Sequence, residues 1–112
     1  MEVRASARQL PASPRKMRLI TERLPGLTVD QALALLRYLP SPHARSVSKV
    51  VLSAASNAEN NFNMDVDDLV IKRAYADEGR TMKRFKARSR GRASPLLKRS
   101  SHITIILDER GA

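Results

Sequence analysis

Apolar residues recur most regularly between Ser41 and Phe62, at intervals of three and four positions. This period places them on one side of an α-helix that begins at Ser41-Pro42. Most of them are small, so we expect the helix to pack closely against another element, such as a sheet, at the centre of the fold. Its predicted buried stripe consists of Ala44, Val47, Val51, Ala54, Ala55, Ala58 and Phe62.

Two shorter helices are predicted before this one. The first starts at Ser13-Pro14, with the serine as N-cap residue, and ends at Pro25-Gly26. The second starts at Thr28, which forms a capping box with Gln31, and ends before Pro40. Their apolar sides are predicted to hold Met17, Ile20, Leu24, Ala32, Leu33, Leu36 and Leu39.

Three segments have the features of β-strands. The first ten residues alternate between apolar and polar side chains, "LVIKRAYA" at 69–76 is rich in strand-forming residues, and "HITIIL" at 102–107 alternates again. This order of elements predicts an α+β fold in which three helices pack on a small three-stranded antiparallel sheet. We assign residues 1–112 to a single domain, the usual organisation for a chain of this length.

The segment from Arg80 to Arg99 lies between the last two strands and contains nine basic residues and no acidic residue. Basic segments of this kind are often solvated tails or flexible loops. An unstructured connection of this length is unusual in a compact domain. We therefore favour a hairpin arm over approximately residues 79–99, with its midpoint near Arg88 and Ser89 and its tip between Lys86 and Gly91. About ten residues on each side would reach on the order of 30 Å.

The charge of the chain restricts its partners. Lysine and arginine number 21 against 11 acidic residues, which gives a net charge of +10. Such a surface attracts polyanions, either nucleic acid or an anionic membrane. Fifteen of the cations are arginine, which holds a phosphate through two hydrogen bonds and stacks on bases, so nucleic acid is favoured. Cysteine is absent and no apolar run is long enough to span a bilayer, so we expect a reducing compartment and no membrane.

No set of residues indicates catalysis. The two histidines, His43 and His102, are expected at the surface, and neither has partners for a metal site. The acidic cluster "DVDD" at 65–68 lacks the glycine and the distal glutamate of a calcium loop, which favours a turn. "DEG" at 77–79 is expected to form a bend or bulge that uses the conformational freedom of Gly79. We therefore expect a protein that is not an enzyme and that binds no metal or cofactor.

Five segments, taken together, resemble the bacterial-type large-subunit ribosomal protein L-twenty-two family in order and spacing. No single segment is specific, but five in register across nearly the whole chain are. They are "SPRKMRL" (13–19), "SAASNAENN" (53–61), "AYADEG" (74–79), "MKR" with "RGRA" (82–84 and 90–93) and "KRSSHITIIL" (98–107).

This resemblance implies a structural constituent of the large ribosomal subunit in the cytoplasm. Such a protein binds 23S rRNA, supports assembly of the subunit and lines the nascent-peptide exit tunnel with its extended hairpin. The implied partners are 23S rRNA, neighbouring large-subunit ribosomal proteins and the nascent polypeptide, with no membrane and no homo-oligomer. The residues implied to bind rRNA are Arg15, Lys16, Arg18, Asn57, Asn60, Arg80, Lys83, Arg84, Lys86, Arg88, Arg90, Arg92, Lys98 and Arg99. The implied tunnel-lining tip consists of Arg88, Ser89, Arg90, Gly91, Arg92 and Ala93.

Two other classes of protein compete with this interpretation. A histone-like architectural DNA-binding protein also extends basic β-arms, but it requires a dimer with two arms. An enzyme acting on RNA would need an acid and a base in one site, and the sequence does not indicate such a pair.

Overall fold

The computed structural model describes residues 2–79, 82–87 and 93–109. Its elements follow the predicted order of one strand, three helices and further strands, which confirms the α+β class. The elements are β1 (Val3–Leu10), α1 (Pro14–Thr21), α2 (Val29–Tyr38), α3 (His43–Phe62), a short 3-10 turn (Val66–Asp68), β2 (Leu69–Glu78), β3 (Met82–Ala87), β4 (Ala93–Lys98) and β5 (Ser101–Glu109).

The body of the protein is built on an antiparallel sheet with the strand order β1-β5-β2. β5 is the central strand, and its residues Ile103, Ile105 and Leu107 are fully buried. β1 pairs with β5 alone in this sheet, so it is the edge strand that its alternating sequence predicts. The helices cover the face of the sheet that carries Ile103, Ile105 and Leu107.

α3 is the central helix, as its apolar period predicts. It packs on β1 and β5, and Val47, Val51, Ala54 and Ala58 are fully buried in that contact. Alanines let the helix backbone approach the sheet closely, and the larger side chains of β5 fill the space between the two layers. The prediction that this helix packs on a sheet is confirmed.

The predicted end of the α3 stripe is wrong. Phe62 is 42% exposed instead of buried. The helix stops at Asn63, whose left-handed backbone (φ 51°) turns the chain, and the backbone N–H of Met64 then donates to the carbonyl of Ala58 at 3.1 Å. The buried side chain of Met64 joins the core instead.

The two short helices differ in how their N-termini are capped. The capping box of α2 forms as predicted: Thr28 Oγ1 accepts from the Gln31 backbone N–H at 3.3 Å, and Gln31 Oε1 accepts from the Thr28 N–H at 3.1 Å. Ser13 has the extended backbone of an N-cap residue at the start of α1, but its side chain makes no capping hydrogen bond. α1 also ends at Thr21, before the predicted stop, while Leu24 in the following turn is fully buried.

β3 and β4 form a two-stranded hairpin within the predicted arm. Met82 pairs with Lys98 and Ala87 pairs with Ala93, so the ladder is symmetric about position 90. Lys86 pairs with Ser94 inside the ladder, and positions 88–92 lie outside the described residues. The radius of gyration is 17.1 Å, against about 13 Å for a compact chain of this length.

The centre of the hairpin lies beyond the predicted midpoint near Arg88 and Ser89 because the strand leaving the body is longer than the strand returning to it. Lys72 is an extra residue in β2, since Ile71 pairs with Leu107 and Arg73 with Ile106. The link at 79–81 also has one more residue than the return link at 99–100. Each extra residue moves the centre of pairing toward the C-terminus.

Candidate nucleic-acid interface

The exposed side of α1 holds the first group of predicted RNA contacts. Arg15, Lys16 and Arg18 are all exposed, and the apolar side of the helix is held in the core by the buried Met17 and Ile20. The structure therefore places the three cations on the solvent side of an anchored helix, where they are available to phosphate oxygens.

Arg18 also has a structural contact that its sequence position does not reveal. Its Nε donates to the carbonyl of Ala76 in β2 at 3.1 Å. β2 is an edge strand of the sheet, so this hydrogen bond satisfies one of its outward carbonyls. The guanidinium remains exposed and keeps further donors for a phosphate.

The polar side of α3 brings Asn57 to the free edge of β1. Asn57 Nδ2 donates to the carbonyl of Arg4 at 3.4 Å, and Asn61 Nδ2 donates to Asn57 Oδ1. Asn57 is half-buried, whereas Asn60 is exposed. Of the two predicted asparagines, Asn60 is thus available to a ligand, and Asn57 holds the strand edge to the helix.

These asparagines belong to a polar groove of about 400 Å³ between α3 and β1. Hydroxyl and amide groups dominate its lining, together with one arginine, and such groups hydrogen-bond to sugar and phosphate oxygens. The sequence predictions missed its serines and Arg4, although the polar positions 53, 56, 57 and 60 recur with helical spacing. Its lining residues are Arg4, Ala5, Ser6, Ser53, Ser56, Asn57, Asn60 and Asn61.

The hairpin holds the remaining predicted cations. Lys83, Arg84 and Lys86 are residues of β3, Lys98 ends β4, and the exposed Arg99 lies in the return link. Ala93, predicted at the tip, is the first residue of β4. The predicted RNA contacts Arg80, Arg88, Arg90 and Arg92 and the tip residues Ser89 and Gly91 lie outside the described residues.

Gly79 joins the body to the hairpin through a close backbone contact. Its N–H donates to the carbonyl of Ser100 at 2.9 Å. A Cβ atom at Gly79 would lie 2.6 Å from Ser100 Oγ and 3.1 Å from the Ser100 carbonyl carbon. Glycine is needed here for space. The sequence-based reason, conformational freedom, is wrong, because Gly79 does not have a positive φ; among the described glycines, that backbone belongs to Gly26.

The acidic residues near the far end of the sheet form an ion-pair network. Lys72 Nζ lies 2.6 Å from Glu2 Oε1 and 3.6 Å from Asp108 Oδ2. The hydrogen bond and charge of Lys72 lower the pKa of Glu2, and the same contact raises the pKa of Lys72. The pKa of Asp108 is lowered, first by the hydrogen bond from the backbone N–H of Glu109. The network ties β2 and β5 to Glu2, the residue before β1, at the end of the sheet opposite Glu78 and Ser101, where the chain leaves for the hairpin.

The other candidate sites have structural explanations. Asp65 Oδ1 accepts from the backbone N–H of Asp67 at 3.0 Å, so the acidic cluster forms a turn as predicted. Among the described residues, no group of three or more histidine, cysteine or acidic side chains is arranged to hold a metal ion. The helices in the same part of the chain are all too short or too polar to cross a bilayer.

A sequence profile of the family described as ribosomal protein L22p/L17e matches residues 5–108. The chain belongs to this family. The match includes all five segments on which the resemblance rests, so that resemblance is confirmed. The L22p/L17e proteins are structural proteins, and the chain is accordingly not an enzyme.

Individual members of the family are similar over nearly their full length. The large ribosomal subunit protein uL22 of Clostridium novyi (strain NT) is 49% identical over 110 residues, covering 98% of this chain and 99% of that protein. The protein of the same name from Dehalococcoides mccartyi (strain BAV1) is 50% identical over 107 residues, covering 96% of this chain and 98% of that protein. The uL22 of Dehalococcoides mccartyi strain 195 gives the same identity and coverage.

Proposed function

We propose that the protein is a structural component of the large ribosomal subunit in the cytoplasm, where it binds 23S rRNA and supports assembly of the subunit. Membership of the L22p/L17e family and the names of the similar proteins support this assignment. The net charge of +10 supports a polyanionic partner. The architectural DNA-binding alternative loses its support, because the family is ribosomal.

The observation that carries the proposal is the paired basic hairpin. The backbone ladder from Met82↔Lys98 to Ala87↔Ala93 forms a separate two-stranded sheet, which lies between β2 and β5 in the sequence. A solvated basic tail would have no such pairing. Two strands alone are marginally stable in water, so we expect the hairpin to be stabilised by contact with the surface of a partner. Its cations require that surface to be anionic, which rRNA is.

Binding works by neutralisation of phosphates and by hydrogen bonds, without catalysis. The cations of α1 and of the hairpin displace counterions from the RNA backbone. The serines and asparagines of the groove between α3 and β1 add neutral hydrogen bonds, which position the RNA without adding to the salt dependence of binding. The proposed rRNA contacts are Arg15, Lys16, Arg18, Asn57, Asn60, Arg80, Lys83, Arg84, Lys86, Arg88, Arg90, Arg92, Lys98 and Arg99.

The hairpin tip is proposed to line the nascent-peptide exit tunnel. β3 and β4 have six residues each, a span of about 20 Å, before the turn is counted. That length suits a narrow ribbon that passes between rRNA segments and presents its tip on the other side. The partners of the tip are the nascent polypeptide and 23S rRNA, and those of the body are rRNA and neighbouring large-subunit proteins.

A photo-crosslinking amino acid at position 89 tests this placement in intact ribosomes. We expect crosslinks to the nascent chain and to 23S rRNA. The matched control is the same crosslinker at Tyr38, which is 84% exposed on the body and should give no nascent-chain product. Crosslinks from position 89 that reach only proteins on the solvent side would overturn the proposed path of the hairpin.

A further inference from the structure

An apolar groove of about 340 Å³ lies between α1 and the link from α2 to α3. Leu19 and Ile20 form its wall on α1, and Leu39, Pro40 and Pro42 form the opposite wall. Leu19 is 65% exposed, which is unusual for a leucine on a helix that otherwise buries its large apolar side chains. The exposed Leu19 side chain is thus part of the lining of a concave apolar surface.

The wall formed by the α2–α3 link is rigid. Two prolines fix the backbone φ angles on either side of Ser41, whose Oγ accepts a hydrogen bond from the backbone N–H of His43 at 3.3 Å. A pre-formed wall costs little conformational entropy when a ligand binds. The groove is thus built into the fold and needs no rearrangement to form.

The rim of the groove is positively charged. Lys16 lies one helical turn before Leu19 and Ile20, and Arg23 lies in the turn that follows α1, where its backbone N–H donates to the Ile20 carbonyl at 3.2 Å. Both side chains are exposed. Of the described residues that line the groove, none has a carboxylate side chain. His43 adds a half-buried imidazole that donates or accepts a hydrogen bond at one end.

We propose that this groove binds one unpaired nucleotide of an RNA strand, with its base between the leucine and proline walls and its phosphates on Lys16 and Arg23. The site deepens the proposed rRNA-binding function and rests on it. The base would contact the apolar walls, the sugar would hydrogen-bond to the His43 imidazole, and the phosphates would contact the cationic rim. Unpaired bases are recognised in this way, in pockets of apolar, aromatic or guanidinium surfaces.

Charge complementarity favours RNA over a protein segment. A peptide would need acidic side chains beside its apolar ones to meet both rim cations, whereas every nucleotide has both components. Arg15, exposed beside the rim residue Lys16 on α1, extends the cationic surface beyond the groove. An RNA strand that leaves an unpaired base in the groove therefore keeps its backbone on cations.

The test compares two leucine variants of the full-length protein in binding to a large-subunit rRNA transcript. Leu19→Asn removes the apolar wall of the groove, and Leu52→Asn is the matched control, since Leu52 is 50% exposed on α3 outside this groove. We expect Leu19→Asn to weaken binding about tenfold, because the base loses its apolar contact with the leucine side chain, and Leu52→Asn to bind as wild type. The salt dependence of Leu19→Asn should equal that of wild type, because the lost contact is not ionic.

A second measurement locates the base directly. Single-stranded RNA containing 4-thiouridine should crosslink to peptides spanning residues 16–23 or 39–43, and the same RNA in a duplex should not. If Leu19→Asn binds as wild type and these peptides give no crosslink, the nucleotide site is overturned while rRNA binding stands. If the wild-type protein fails to bind the rRNA transcript, the proposed function falls and the nucleotide site with it. Crosslinks from this groove to another protein in intact ribosomes would also overturn the nucleotide site.

Discussion

Asn57 shows that one side chain of a predicted RNA site is also a structural residue. Its amide donates to the Arg4 carbonyl at 3.4 Å, and its own oxygen accepts from Asn61. Asn60, one position from Asn61 along α3, is exposed and lines the same groove. The two predicted asparagines therefore have separable roles, which substitution can distinguish.

We predict that two alanine variants affect different properties, one the stability of the protein and the other its affinity for rRNA. Asn57→Ala should lower the free energy of unfolding by about 1 kcal/mol, because the Arg4 carbonyl loses its partner. Asn60→Ala should leave stability within about 0.5 kcal/mol of wild type and weaken rRNA binding. Chemical denaturation and a filter-binding titration measure the two quantities. Equal stability of both variants would show that the Asn57 hydrogen bond contributes nothing.

Side-chain or loop contacts bind backbone groups on both edge strands of the body sheet. On β1 the cover is Asn57, and on β2 it is Arg18, which binds the Ala76 carbonyl. Gly26 N–H donates to the Ile71 carbonyl at 2.8 Å, and Ile71 N–H donates to the Leu27 carbonyl at 2.8 Å. These bonds occupy backbone groups that an exposed edge strand would otherwise offer to another chain. The expectation that the protein forms no homo-oligomer stays a prediction.

The two helix starts allow a matched prediction at the scale of the element. Thr28→Ala removes the bond from the Gln31 backbone N–H to Thr28 Oγ1 and keeps the bond from the backbone N–H of residue 28 to Gln31 Oε1. The lost cap should lower the free energy of unfolding by about 1 kcal/mol, a fall in Tm of about 4 °C. Ser13→Ala on α1 should lower the free energy of unfolding by less than half as much, since the Ser13 side chain makes no capping hydrogen bond. Calorimetry of the two variants checks this, and equal losses would contradict the difference between the caps.

Much of the whole molecule was predictable from local patterns. The α3 stripe, the capping box of α2 and the three sheet strands follow from periodicity and from cap residues, which depend on neighbours a few positions apart. Features that depend on distant segments were missed or wrong. Ser100 leaves no room for a Cβ atom at Gly79. Phe62 is exposed because Met64 enters the core instead. The centre of the hairpin shifts in part because β2 contains Lys72 as an extra residue relative to β5.

The residues of the candidate site also fall into those that the sequence predicts and those that only the folded structure brings together. The cations of α1 and of the hairpin were identified from composition and from the family resemblance, and their roles stay predictions. The groove between α1 and the α2–α3 link was not predicted, because its two walls come from segments about twenty residues apart that meet only in the folded protein. The assignment of residues 1–112 to one domain also stays a prediction.

The central claim is that the hairpin binds rRNA through its phosphates, and the salt dependence of binding tests it most directly. We replace Arg84, Arg88, Arg90 and Arg92 with alanine and measure affinity for the large-subunit rRNA transcript over a range of salt concentrations. The control has the same net charge and replaces four exposed cations of the body, Arg8, Arg37, Arg45 and Lys49. If each arm arginine neutralises one phosphate, the slope of log affinity against log salt should fall by about 3 in the arm variant and much less in the control. An unchanged slope in the arm variant, or an equal fall in both, would contradict the claim.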